Sequence, residues 1–441
     1  MASLTAPSTT ATTHPHEYVH HPSVSVTHIQ NCGKGMRATT TIPSGTVLFT
    51  EQAVAFHRAN VHLDALVCDR CGQWLLSEQE QLRYAWAQSP QPQPPSSPPT
   101  ELLGLLASTT PNNSVPCGHS GCQARWCSDT CKQRSRDDGH QYLCQPLSPT
   151  GKLYQFLVHH AQDNSAYPTA AHFGCAARVL AKVAKRCATA APVATDTTLV
   201  WKRDDLLAHM HAMMGSFYQT HFTASLHAIR TCSEVSVLDS ENVMFVEHIQ
   251  PAYRSAYLGK GLSVLQAVFE PLGVTFADTL LTLPSLDALM GIFATNNFAV
   301  EFTSPVERLL LQHYKNGGGG GGGGGNQVSG FPRIKGTACF KHFALLNHSC
   351  VKNTQVEYGG GSDGGGGGSD GGGGALTISV ATNKCIEKDE EIYNCYTSCT
   401  GVKEREVDLY QYMFKCNCEL CVVQRLERKK NGGESSSGED Y

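Results

Sequence analysis

The sequence predicts an α+β fold, and three observations carry that expectation. Strand-like alternation occupies both ends of the chain, in SVSVTHI from Ser23 and in NTQVEY, ALTISVAT and EEIYNCY toward the C-terminus. Between them, from about Leu153 to Met290, Ala/Leu-rich stretches such as AAHFGCAARVLAKVAKRC and DDLLAHMHAMMGSFYQ space their apolar residues at a helical period. Cysteines interrupt both strand regions at short C-x-C and C-x2-C spacings, which suit metal thiolates better than disulfides.

With 441 residues and 41% hydrophobic content, the chain can build two or three domains around a substantial core. A formal charge of −4 supplies no broad basic surface for a phosphate backbone, so direct nucleic-acid binding is not expected and a DNA-binding zinc protein ranks last among the readings. The nineteen cysteines, an odd number, read as a zinc framework in a reducing compartment. No run approaches the roughly 20 apolar residues of a spanning helix, so no membrane is expected. The opening MASLTAPSTTATTHPHEYVHH has neither an apolar h-region nor an arginine, which points to the cytoplasm or nucleus; its Ser/Thr-rich, acid-free start leaves organelle targeting as the weaker alternative.

In chain order, residues 1–21 form a polar leader expected to be disordered, in which His14, His16, His20 and His21 are incidental. Residues 22–67 carry two expected strands, SVSVTHI and TVLFTE, joined by a glycine-bearing turn and Pro43-Ser44-Gly45. Residues 68–144 hold the cysteine-dense module, split by the proline-rich segment Ser89 to Pro99, which reads as an extended surface insertion. Residues 145–290 are the helical insert, and residues 291–400 return to short strands, beginning with NNFAVE. Glycine tracts at Gly317 to Gly325 and Gly359 to Gly374 are expected to be mobile loops, the second an enlarged hairpin tip; neither ends in the G-K-[ST] of a phosphate loop. Residues 401–425 bring a second cysteine cluster, and 426–441 an acidic tail.

Eight soft ligands in the first cluster suit two tetrahedral zinc sites. Cross-bracing would pair Cys68 and Cys71 with Cys127 and Cys131, and Cys117 and Cys122 with His140 and Cys144. The wide spacing at Cys122 leaves His119 as a possible replacement. Cys416, Cys418 and Cys421 offer three thiolates, one short of a closed site, and Cys350 in NHSC is the candidate fourth. Three zinc ions are expected, and metal binding would supply folding free energy to a module this poor in apolar residues.

Taken in order, the glycine-bearing N-terminal motif, interleaved finger, helical insert, NHSC, EEI-x-x-x-Y and C-x-C-x2-C resemble the SET and MYND domain (SMYD) family of protein-lysine methyltransferases, from about Ser23 to Cys421. The likeness is greatest to the branch with an acidic tail and no C-terminal helical-repeat domain. It implies a SET β-fold threaded near Asn347 and Tyr396, an interleaved MYND finger and a zinc-binding post-SET segment. It also implies S-adenosylmethionine as donor and the lysine side chain of a histone or other protein as acceptor. By the same resemblance Gly33, Lys34, Gly35 and Met36, continuing through Arg37 and Ala38, form the cofactor loop. Asn296, Leu345, Asn347, His348, Tyr396 and Phe414 also contact the cofactor; Phe298, Tyr396 and Tyr412 line the lysine channel; Tyr396 is the catalytic tyrosine. The chain departs from the family at Asp389, where glycine is usual, and in the long insert between Cys71 and Cys117.

These residue types suit the chemistry. An attacking lysine must be neutral, whereas its free pKa is about 10.4. An aromatic channel strips water from the ammonium and so lowers that value, while the Tyr396 hydroxyl orients the amine. The chain is expected to be a monomer. The competing reading is a non-catalytic adaptor whose MYND module docks proline-rich peptides; donor binding and Tyr396 separate the two.

Overall fold

The computed structural model describes residues 21–58, 67–87, 98–106, 114–144, 153–157, 169–190, 202–214, 250–307, 334–358, 376–409 and 412–431, apart from 31, 99, 105, 121, 123, 297, 303, 305 and 413. The leader, most of the proline-rich insertion, both glycine tracts and the acidic end of the tail lie outside these residues.

Among the described residues, three small sheets form the β part. Strands β1 (Val24–Ile29), β2 (Gly33–Ala38), β12 (Glu391–Asn394) and β9 (Asn347–His348) make one, in the order β1-β2-β12-β9. Strands β10 (Thr354–Tyr358), β11 (Thr377–Thr382) and β3 (Val47–Gln52) make the second, and β4 (Ala55–Arg58), β8 (Ile334–Cys339) and β7 (Phe298–Phe302) the third, with β4 and β7 flanking β8. The finger adds a ribbon of β5 (Val115–Pro116) and β6 (Arg125–Trp126).

The GKGMRA motif is a strand rather than the expected loop. It pairs antiparallel with β1 along its whole length, and Arg37 and Met36 pair with Glu391 and Ile392 of β12. Its glycines have little strand preference of their own; two neighbouring ladders override it. Strands β4 and β8 are likewise too short and mixed to stand out in the sequence.

Alternation of side chains across β4 and β8 explains how the two cores meet. Ala55 and Cys339 face the helices, while Phe56 and Ala338 face the sheets. On the sheet side Met36, Ile42, Phe49, Ile378, Ile386 and Ile392 pack together. On the other side the helix Thr169–Ala190 contributes Phe173, Val179, Leu180 and Val183, against Phe269, Phe276 and Phe293 from the helices Gln250–Phe269, Val274–Leu280 and Leu283–Asn296. Gly174 permits this approach: a Cβ there would stand 2.2 Å from the His57 ring.

Within the finger region, the helix Glu78–Ala87 opens on a capping box. The Ser77 main-chain N–H donates to Glu80 Oε2 (2.8 Å), and the Glu80 N–H returns to Ser77 Oγ (3.3 Å). Leu82 and Ala85 of this helix pack on Leu106 and Val306, so the helix leans on the segment that follows β7. At the other end, the helix Glu419–Asn431 runs past residue 425 and closes on Arg428, Lys429 and Lys430, so the beginning of the expected acidic tail is helical and basic.

Asp389 is the one non-glycine residue with positive φ (66°) among the described residues, which accounts for the family's glycine at this turn. Its main chain closes the turn, the N–H donating to the Ala38 carbonyl (2.8 Å) and its own carbonyl accepting from Arg37 Nη1 (2.7 Å). Asp389→Gly keeps both bonds and removes the Cβ clash. It is expected to raise stability by about 1 kcal/mol in urea unfolding.

Candidate functional site and metal clusters

Among the described residues, twelve cysteine and histidine side chains converge in three groups of four: Cys68, Cys71, Cys127 and Cys131; Cys117, Cys122, His140 and Cys144; and Cys350, Cys416, Cys418 and Cys421. Within each group every donor atom lies within 4.8 Å of the others, which is the spacing one metal ion requires. Local structure sets the donors. Ser128 caps the helix Asp129–Asp137 by accepting the Cys131 N–H (3.2 Å), which holds Cys131 beside Cys127, their sulfurs 3.6 Å apart. Trp126, fully buried, lies edge-on to the His140 ring at 5.0 Å and fixes its plane. His119 stands beside the second group, its Nδ1 3.2 Å from Cys144 Sγ, while Cys122 fills the place within the group.

Asp69, next to Cys68, ties the finger to the rest of the molecule. It pairs with Arg178 Nη2 at 3.0 Å and Arg58 Nη2 at 3.6 Å. Burial pushes its pKa up, but Arg178 and Arg58 outweigh burial and hold it at about 2. Asp138 similarly pairs with Arg70 (3.0 Å) and Lys182 (3.5 Å). These ions line a cavity of about 120 Å³ between the finger, β4 and the helix Thr169–Ala190. Each carboxylate serves two cations, so the cavity is a bonded joint, and none of Asn347, His348, Glu391 and Tyr396 lines it.

The second focus is built where β9 runs parallel to β12, with Asn347 opposite Tyr393 and His348 opposite Asn394. The Ser349 N–H donates to the Asn394 carbonyl (2.9 Å) and extends the pairing toward Cys350. Glu51 places this segment: its buried carboxylate accepts the His342 N–H (2.9 Å) and the Phe343 N–H (3.1 Å) at the start of the 3-10 turn Phe343–Leu345. That carboxylate caps the turn as an N-terminal acid does a helix.

Tyr396 follows β12. Its hydroxyl donates to the Leu346 carbonyl (2.6 Å), and its N–H donates to His348 Nδ1 (2.9 Å). Its ring centroid lies 5.0 Å from that of Tyr412, 5.2 Å from His348 and 6.4 Å from Phe414. Burial, then Tyr412, pushes the Tyr396 hydroxyl well above its ordinary pKa, so it stays a neutral donor. Burial, then Arg405, lowers His348 to about 4.

Strand β2 reaches the same place through Gly35, next to Asn347 and Glu391. A Cβ on Gly35 would stand 2.5 Å from Ile29 Cγ1, 2.8 Å from Asn347 Nδ2 and 3.3 Å from Glu391 Oε1. Gly35→Ala is therefore expected to cost about 1–3 kcal/mol in chemical denaturation, with the site displaced even where the fold survives.

Several expected residues sit otherwise. Met36 is wholly buried in the sheet core, so its side chain cannot reach a cofactor, because strand alternation turns it inward. Leu345 is buried in the same core, and Lys34 is exposed on β2. The Asn296 side chain donates to its own helix, at the Ile292 carbonyl (2.9 Å) and Thr295 Oγ1 (3.0 Å), rather than standing free for a cofactor. Phe298 packs edge-to-face on Phe343 (4.8 Å) and Phe340 (5.9 Å), which flank the turn leading to Leu346; Tyr412 and Phe414 are the rings that meet Tyr396.

Sequence reasoning passed over Glu391. It is buried and accepts the Asn347 amide (2.8 Å) and the Tyr393 hydroxyl (3.0 Å); burial, then Glu391, pushes Tyr393 up to about 12. Arg405, buried among the third cysteine group, also escaped notice; it donates to Cys421 Sγ (3.5 Å), the Thr400 carbonyl and Gln424. The second acid of the EEI-x-x-x-Y motif was the available signal for Glu391. Arg405 had none.

No protein-family profile matches the chain. Among curated relatives, Protein-lysine N-methyltransferase SMYD4 of Danio rerio is 32% identical over 116 residues, covering 23% of this chain and 15% of that protein. A SET and MYND domain-containing protein of Dictyostelium discoideum is 36% identical over 90 residues, 20% of this chain and 6% of that protein. The Homo sapiens SMYD4 is 32% identical over 92 residues, 20% and 10% respectively. The matched segments span 15% or less of the length of these relatives.

Proposed function

Because this chain belongs to the SET and MYND domain family, we propose that it transfers a methyl group from S-adenosylmethionine to a lysine side chain of a protein, with zinc in its three thiolate-rich clusters. The observation that carries this reading is the convergence of β2, the Asn347–His348 bridge, Glu391 and Tyr396, with Cys350 in one metal group with Cys416, Cys418 and Cys421. Sulfur-rich tetrads and a Cys3His tetrad suit zinc rather than the oxygen-preferring divalent ions.

When bound, the donor supplies a sulfonium-activated methyl group. The chain's own residues orient and exclude water. Gly33, Gly35 and Asn347 would hold the amino-acid part of the donor, and Phe414, beside His348 at 5.7 Å, its adenine face. Tyr396 and Tyr412 would wall the lysine entry and strip water from the amine, which favours the neutral nucleophile. With its raised pKa, the Tyr396 hydroxyl is no proton acceptor; it orients, sharing the position with the Leu346 carbonyl.

Tyr396→Phe is expected to lower the methyl-transfer rate about a hundredfold, with S-adenosylhomocysteine affinity within about threefold of wild type by calorimetry. The rate is read with radiolabelled donor and a proteome extract. An unchanged rate removes Tyr396 from the mechanism. Absence of S-adenosylhomocysteine binding by the zinc-loaded chain would make it an adaptor instead.

A further inference from the structure

Two distances define the state of the His348 ring. The Tyr396 main-chain N–H lies 2.9 Å from Nδ1, and a main-chain N–H can only donate, so Nδ1 carries no proton. The ring proton of the neutral imidazole is then on Nε2, which stands 3.3 Å from Cys350 Sγ. That sulfur lies 3.4 Å from Cys421 and 3.8 Å from Cys416, inside the third metal group. A metal-bound thiolate has no proton and can only accept, so both sides of the ring demand the same tautomer. The His348 ring packs with Tyr396 and Phe414, its centroid 5.2 Å and 5.7 Å from theirs.

We propose that His348 is a positioning residue that joins the third metal centre to Tyr396: Nε2–H donates to the Cys350 thiolate while Nδ1 accepts the Tyr396 N–H. The metal centre thereby holds the tyrosine in register, over and above closing the C-terminal segment. The role given to Tyr396 rests on the proposed methyl transfer, whereas the hydrogen-bond link does not. Outer hydrogen bonds to metal ligands commonly alter metal affinity by 10- to 100-fold, which sets the expected effect.

The test uses the full chain loaded with 113Cd in place of zinc and 15N-labelled at histidine. Long-range 1H–15N spectra should show His348 protonated at Nε2 and bare at Nδ1, with a scalar coupling from Hε2 to 113Cd through the sulfur. A proton on Nδ1 overturns the proposal, and this measurement needs no variant to fold. In the zinc protein, His348→Asn keeps an acceptor near Tyr396 but cannot reach the sulfur; one of three zinc ions should then leave about tenfold faster to a chelator. His348→Gln can keep a donor to the sulfur but leaves the Tyr396 N–H unpaired. It should lower kcat about tenfold with little change in the KM for the lysine substrate, and unchanged metal release together with unchanged kcat in the two variants defeats the link. If wild-type protein binds no S-adenosylhomocysteine but shows the Nε2 tautomer and the coupling, the proposed function fails and the link stands.

Discussion

Stripping metal from the chain is expected to unfold the finger outright while the helical core persists. The finger's own cluster consists almost entirely of its ligands: Cys68, Cys117, Cys144, Leu75 and Trp126 are its buried residues, with Cys71, Cys122, Ala124, Cys127 and Cys131 packed around them. Two short strands and two short helices, Asp129–Asp137 and His140–Leu143, give it little else. Structural zinc contributes on the order of 10–16 kcal/mol to such modules, far more than this apolar content can replace. Chelation followed by hydrogen exchange should show protection lost around Trp126 and Cys131, with protection retained in the helix Thr169–Ala190. Cys68→Ser should lose one zinc by elemental analysis and reproduce part of the effect. Retained protection around Trp126 in metal-free protein would contradict this account.

Asp69→Ala should be the most damaging single substitution outside the metal ligands, at roughly 3–5 kcal/mol in equilibrium unfolding. Removing this carboxylate takes away the counter-charge that Arg58, which is 7% exposed, shares with Arg178. Arg178 is 27% exposed and water will screen part of its charge, so the lower end of the range is the better expectation. Asp69→Asn keeps an acceptor and should cost less. The double variant Asp69→Ala, Arg58→Met should recover stability relative to Asp69→Ala alone, because it removes one of the two cations that the carboxylate balances. Additive losses would place the effect elsewhere than in the ion network.

Features written in local sequence were legible. Cysteine spacings marked the ligand sets, and alternation marked β1, β3, β10 and β11. Asp389 stood out as a turn anomaly, and its positive φ explains why. What escaped depended on partners hundreds of residues away. The GKGMRA segment becomes a strand only because β1 and β12 bracket it, and Met36 turns inward for the same reason. Asn296 looks free in the sequence, but the last turn of its helix captures it. Glu51 shows no sign in TVLFTE that it will cap a turn at Phe343. Nor does NHSC show that its histidine will face both Cys350 and Tyr396, because a two-residue parallel bridge sets that geometry.

The pairing of Met36 with Ile392 also has a temporal side. During synthesis, β2 emerges long before its partner exists. At about 5–20 residues per second the ribosome needs some 20–70 s to span the interval. Through that delay the first hairpin presents an uncovered edge to the crowded cell, and neither the Tyr396 site nor the last cysteine tetrad can close until residues 391–421 have emerged. Holdase chaperones should therefore engage the nascent protein between the first hairpin and the arrival of β12.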